Sequence, residues 1–149
     1  MAAVSDLKQG SPVAEHVTLK ARITIADESD IIVASQKGRL LAREFGFSTI
    51  GQFITATVIS EVAHNIVTYA THGEILLHII EDDSRRGLLL IASDEGPGIA
   101  NVELALRDGY STGSGLGLGL SGARRLMDEF EIVSEPGKGT TITMKKWQV

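Results

Sequence analysis

The stretch Leu88-Leu89-Leu90-Ile91-Ala92-Ser93-Asp94-Glu95-Gly96-Pro97-Gly98 decides how the chain is read. A run of apolar and small residues ends in a carboxylate, and the backbone then turns through Gly, Pro and Gly. A short apolar run bounded by turn residues is the pattern of a strand buried in a sheet. Just upstream lies a second such run, Glu74 to Glu81, and Asp82-Asp83-Ser84-Arg85-Arg86-Gly87 between the two reads as a polar turn. Strands that follow one another directly, amid helices, point to a sheet with helices gathered on one side.

Further out, Val17, Leu19, Ala21, Ile23 and Ile25 alternate with polar residues, the period of a half-buried strand. Asp27, Ser29 or Asp30 is placed to cap a helix whose Ile31, Ala34, Leu41 and Phe45 share a face, and Gly46 to stop it. Ser48 or Thr49 opens a second helix, in which Phe53, Ile54, Val58, Val62, Ile66 and Tyr69 recur at helical steps before Gly73. Its many β-branched residues lower helix propensity, so the period carries this assignment. Beyond the central stretch the pattern predicts a short helix near 102–107, a helix over 118–129, and strands over 130–134 and 140–147 joined at Pro136-Gly137-Lys138-Gly139. Lys145, Lys146 and Trp147 are expected to end an edge strand. The order β-α-α-β-β-α-α-β-β predicts an α/β (α+β) two-layer sandwich, a mixed β-sheet with helices packed on one face. Residues 1–16 mix Gly, Ser, Pro and charges and read as a flexible leader, with 17–149 as a single domain.

The 14 Lys and Arg against 19 Asp and Glu leave a net charge of −5, which speaks against a general nucleic-acid binder. With no cysteine there is neither a disulfide framework nor a thiolate metal site. No apolar run approaches membrane-spanning length, and the first residues lack the make-up of a secretory signal. A cytoplasmic address, with no membrane or nucleic-acid partner, is the expectation by elimination.

Three segments have the composition for chemistry. Glu61 and Asn65, four apart on the second helix, point the same way. A carboxylate there can take a proton from a hydroxyl, and an amide oxygen suits Mg²⁺; a polar stripe on a helix surface is the plainer account of this pair alone. Asp94 at a strand end can accept a hydrogen bond from an exocyclic amine such as adenine's, with Gly96 and Gly98 letting backbone approach a flat ligand; a tight turn explains the same residues equally well. Gly113, Gly115, Gly117 and Gly119 alternate directly before an amphipathic helix, a backbone N–H site for anions. A P-loop is absent, and the G-x-G-x-x-G match at Gly117, Gly119 and Gly122 follows no strand. His16, His64, His72 and His78 show no ligand spacing.

Taken in this order, the segments resemble the GHKL ATPase/kinase superfamily, which includes gyrase, the mismatch-repair ATPase, a heat-shock chaperone and the histidine kinases. Glu61-x-x-x-Asn65 is similar to its N box, Asp94-x-Gly96-x-Gly98 to its first glycine box, Gly113 to Gly119 to its second, and Gly139-Thr140 to the Gly-Thr that closes the pocket. Ile59 to Ile66, Asp108 to Thr112, Arg125 to Phe130 and the ending Lys146-Trp147 look like the RsbT-type serine/threonine switch kinases of bacterial stress signalling in particular.

The resemblance implies the Bergerat fold binding ATP with Mg²⁺. It makes Glu61 the base, Asn65 the Mg²⁺ ligand and Asp94 the adenine anchor. Gly96 and Gly98 would shape the adenine end, Gly113, Gly115, Gly117 and Gly119 the lid, and Thr140 would help hold the base. It further implies transfer of the γ-phosphate to Ser or Thr of STAS-domain stressosome proteins, followed by activation of a serine phosphatase. Three other readings stay open: a nucleotide-gated anti-sigma-type binding module with weak or no kinase activity, an ATPase acting on water, and a detached histidine-kinase catalytic domain.

Overall fold

A computed structural model describes residues 2–5, 15–99, 106 and 119–148, the first four as backbone only. The elements are β1 (Ala2–Ser5), β2 (His16–Ile25), α1 (Glu28–Glu44), α2 (Thr49–Asn65), a π-helical turn (Ile66–Ala70), β3 (Gly73–Glu81), β4 (Arg86–Asp94), α3 (Gly119–Leu126), β5 (Glu129–Glu135) and β6 (Gly139–Trp147). Part of the stretch expected to be a leader is thus placed in β1, and His16 belongs to β2.

Local chemistry sets the helix ends. Asp27 caps α1 by accepting from the Ser29 N–H at 2.9 Å, while the Asp30 carboxylate reaches back to the N–H groups of Ala26 and Asp27, a reciprocal cap. Gly46, at φ 84°, takes the left-handed turn after α1. Ser48 caps α2 by accepting from the Gly51 N–H at 3.1 Å. Gly38 lets α1 and α2 approach so closely that a Cβ placed there would stand 2.1 Å from Ile59 Cδ1.

The strands form one sheet in the order β1-β5-β6-β4-β3-β2. Every neighbouring pair is antiparallel, which corrects the expected mixed sheet. β4 and β5 do run the same way, but β6 returns between them and separates the parallel strands. For the same reason Trp147 ends an interior strand rather than an edge.

The core lies between one sheet face and the helices. Ile75, Leu77 and Ile79 of β3, Leu88 and Leu90 of β4, Phe130 and Ile132 of β5 and Met144 of β6 meet Ala34 of α1, Val58, Ile59 and Val62 of α2, and Ala123 of α3. Each large side chain buried in this way contributes roughly 1.5–3 kcal/mol. Two periodic assignments need correction. A β-bulge between Leu19 and Ala21 sets Leu19 opposite His78 but Ala21 opposite Leu77, so Val17 and Leu19 leave the core face and are exposed. Phe53 and Tyr69 are also exposed. Phe53 points away from the α1 contact, and the wider π turn carries Tyr69 out of phase with α2.

Candidate functional site

The sheet register assembles the site at one end of the core face. Gly73, Asp94, Thr140 and Ser134 are cross-strand neighbours on β3, β4, β6 and β5. Asp94, Thr140 and Ser134 each continue the alternation that buries Ala92, Ile142 and Ile132, so their side chains share the helix-facing side. Asp94 lies here because an apolar strand must end where the polar loop begins, and a carboxylate at that end is only half-buried.

Three glycines crowd around Asp94. A Cβ on Gly139 (φ 87°) would stand 2.1 Å from the Asp94 carbonyl oxygen. One on Gly73 would lie 2.4 Å from the Ser93 carbonyl and 3.0 Å from Asp94 Cβ. One on Gly96 would be 2.6 Å from Ala70 Cβ. Only chain without side chains fits between these backbones. The Gly96 N–H donates to Asp94 Oδ1 at 2.9 Å. Burial pushes the Asp94 carboxyl above its ordinary value, opposed by N–H donors from Gly96 and Thr140 and by the nearby charge of His72.

The loop after Asp94 rests on the β5–β6 turn. Gly98, at φ 78°, packs where a Cβ would stand 2.3 Å from the Glu135 carbonyl oxygen, and the Gly137 N–H donates to the Pro97 carbonyl at 2.7 Å. Ser134, 1% exposed, accepts from the Ile99 N–H at 2.7 Å and lies 2.9 Å from Thr140 Oγ1.

Glu61 and Asn65 occupy the last turn of α2, and the π turn carries that end to Asp94. Ile66 Cγ2 would be 3.0 Å from a Cβ on Gly73, and Ala70 meets Gly96. Thr71, just beyond, holds φ at 67°, a strained value for a β-branched residue. Glu61 is 5% exposed and Asn65 half-buried, and neither side chain makes a hydrogen bond or ion pair among the described residues. Among the described residues no fully enclosed side-chain oxygen or nitrogen lacks a partner, so the Glu61 oxygens are not fully enclosed. An unpaired carboxylate among apolar neighbours is costly, and a hydrogen-bond donor on a ligand or a substrate hydroxyl there satisfies it.

The structure therefore brings Glu61, Asn65, Asp94, Gly96, Gly98 and Thr140 to one end of the sandwich. Gly119, at φ 62°, starts α3. Gly113, Gly115 and Gly117 lie outside the described residues, as does the helix expected near 102–107 apart from Leu106, which is buried. The residues fit a nucleotide: a half-buried acceptor caged by glycine backbone suits a flat base, and an unengaged amide beside an unengaged carboxylate suits a phosphate-bound cation. No cluster of His, Asp and Glu able to hold a metal by itself occurs among the described residues, so a cation there needs phosphate oxygens as well. No described helix is long and apolar enough to cross a membrane.

Sequence reasoning missed Gly73, Ala70, His72 and Ser134. Only the register and the π turn bring them to Asp94. The Ser134-x-x-x-x-Gly139-Thr140 spacing across a tight turn was the available signal for Ser134.

Comparison with known proteins agrees with this geometry. The family described as histidine kinase-, DNA gyrase B- and HSP90-like ATPase matches residues 52–148. The chain is 46% identical over 125 residues to the serine/threonine-protein kinase RsbT of Bacillus subtilis (strain 168), covering 84% of this chain and 94% of that protein. It is also 35% identical over 97 residues to an anti-sigma F factor of Halalkalibacterium halodurans, covering 60% and 65% respectively, and 36% identical over 95 residues to one of Clostridium acetobutylicum, covering 59% and 64%.

Proposed function

The chain belongs to the histidine kinase-, DNA gyrase B- and HSP90-like ATPase family, and from that premise we propose that it is an ATP-dependent serine/threonine-protein kinase. Its substrates are Ser or Thr of STAS-domain stressosome proteins, after which it switches partner and activates a serine phosphatase. The observation that carries the reading is Glu61: a carboxylate 5% exposed, bonded to nothing among the described residues, one helical turn from an equally unengaged Asn65.

Bound Mg-ATP supplies the phosphoryl group and the charge that neutralises its oxygens. Asp94 would accept from the base amine and so orient the nucleotide. Asn65 would hold the cation, its side chain being unengaged among the described residues. Gly113, Gly115, Gly117 and Gly119 would offer N–H groups to the phosphates, the first three lying outside the described residues. Glu61 takes the proton from the incoming hydroxyl, a contribution of roughly 10²–10⁴-fold. Its lack of a partner among the described residues supports that role.

Transfer of label from ATP to a purified STAS-domain protein tests this. Glu61→Ala should slow transfer by about 10²–10⁴-fold with ATP affinity kept, whereas Asn65→Ala should weaken Mg-ATP binding itself. Acid-stable label on Ser or Thr supports the kinase, and a full rate in Glu61→Ala removes the base assignment. The similarity to anti-sigma F factors favours one second reading, a nucleotide-gated binding module. ATP binding with no label on any STAS partner would select it.

A further inference from the structure

Two buried threonines stand two residues apart on α2, and their hydroxyls are treated differently. Thr55, fully buried, donates to the Gly51 carbonyl one turn back at 2.8 Å, an ordinary bond for a helical threonine. Thr57, 6% exposed, makes no such bond to its own helix and no hydrogen bond to any described residue. Among the described residues no fully enclosed polar side-chain atom lacks a partner, so the Thr57 hydroxyl keeps an opening. A largely buried hydroxyl without a partner costs free energy, and a donor is left over.

Its neighbours along the helix are the site itself. Thr57, Glu61 and Asn65 recur every four residues and line one face of α2. Long side chains on a helix lean toward its N-terminus, over the residue one turn back, so Glu61 leans toward Thr57. Glu61 is likewise buried and unbonded among the described residues, and a carboxylate can only accept. Residues at this spacing hold their Cβ atoms about 5–6 Å apart, so side-chain rotation brings the hydroxyl and the carboxylate together.

We propose that Thr57 is a positioning residue for Glu61: its hydroxyl donates to one carboxylate oxygen and aims the other at the incoming substrate hydroxyl. This rests on the proposed kinase reading, in which Glu61 is the base. Thr57 touches neither nucleotide nor substrate and carries no proton in the reaction. Without it a long, flexible side chain has no fixed direction, and fewer of its rotamers present an oxygen to the substrate. Catalytic hydrogen bonds are often long before substrate binds and tighten in the working complex.

Steady-state transfer of label from ATP to a purified STAS-domain protein tests this in the full chain, with melting temperatures recorded. Thr57→Val keeps the shape and removes the hydroxyl. It should lower kcat by about 10- to 100-fold, the rate equivalent of a hydrogen bond to a charged group. KM for ATP should not change, and the melting temperature should equal or exceed wild type, because an unpaired buried hydroxyl is gone. Thr57→Ser should restore most of the rate. In a Glu61→Ala background Thr57→Val should cost nothing further, because it acts only through Glu61. Thr55→Val, which removes the bonded hydroxyl, should keep kcat. Thr57→Ala takes the place of the valine variant should that one not fold. A folded Thr57→Val with wild-type kcat overturns the proposal, as does a loss that persists in full without Glu61 or is matched by Thr55→Val. A wild type that labels no partner overturns the kinase reading and this proposal with it, an outcome distinct from an indifferent Thr57→Val.

Discussion

At the scale of single residues, Asp94 sets the cost of burying a charge against the proposed gain of binding a base. Its carboxyl is pushed up by burial from an ordinary value of 3.8, so the folded chain holds that proton longer than the unfolded one. The sign follows: the ligand-free protein loses stability as pH rises from 3.8 through the raised value, and the deficit persists at neutral pH. Asp94→Asn removes the charge and keeps an acceptor for the Gly96 N–H. Its melting temperature at pH 7 should equal or exceed wild type, while ATP affinity falls about 10- to 100-fold through loss of a charged acceptor. Acidification should weaken wild-type binding more than the variant's, beginning above pH 3.8, because the protonated acid no longer accepts well. Undiminished ATP affinity in Asp94→Asn, read by calorimetry, would remove the residue from the site. The sequence supplied Asp94, Gly96 and Gly98, since a strand end and a tight turn are local. It gave no hint of Gly73 or His72, which reach Asp94 only through pairing and the turn after α2.

At the scale of elements, the α1–α2 contact holds Glu61 and Asn65 in place, and Gly38 is its closest approach. Glycine inside a helix costs about 1 kcal/mol against alanine, but here a Cβ would collide with Ile59 Cδ1 at 2.1 Å. Gly38→Ala should therefore destabilise by about 1–3 kcal/mol through overpacking. Combined with Ile59→Val, which lacks that methyl, it should become neutral or stabilising. Denaturant unfolding of the single and double variants checks this, and simple additivity would show that the two residues do not meet. Helix ends were legible from sequence because caps act within a few residues: Asp27, Gly46 and Ser48 hold the expected positions. The faces of Leu19 and Tyr69 were not, because one bulge or one π turn reverses phase without changing composition.

At the scale of the whole molecule, the two layers share one core, with the site built at its margin. A ligand that binds only the folded chain then stabilises all of it. Mg-ATP at 100 times its Kd should add about 2.7 kcal/mol, and at about 2–4 °C per kcal/mol for a domain this size the melting temperature should rise by about 5–11 °C. Thermal scans with and without Mg-ATP measure it. Asp94→Asn, with its 10- to 100-fold weaker binding, should keep only about 0.4–1.4 kcal/mol of that stabilisation at the same concentration, and an equal shift in both proteins would place the nucleotide elsewhere. By itself the sequence determined β2 to β6 and α1 to α3 and the caps of α1 and α2, though not β1 or the π turn, because periodicity, capping and turn chemistry act over a few neighbours. Only the tertiary structure decided that β6 lies between β4 and β5, that every pairing is antiparallel, and that Ser134, Thr140, Asp94 and Gly73 form one row. Strand order depends on how distant segments jointly bury their apolar faces, and that is a property of the packed core rather than of any stretch of chain.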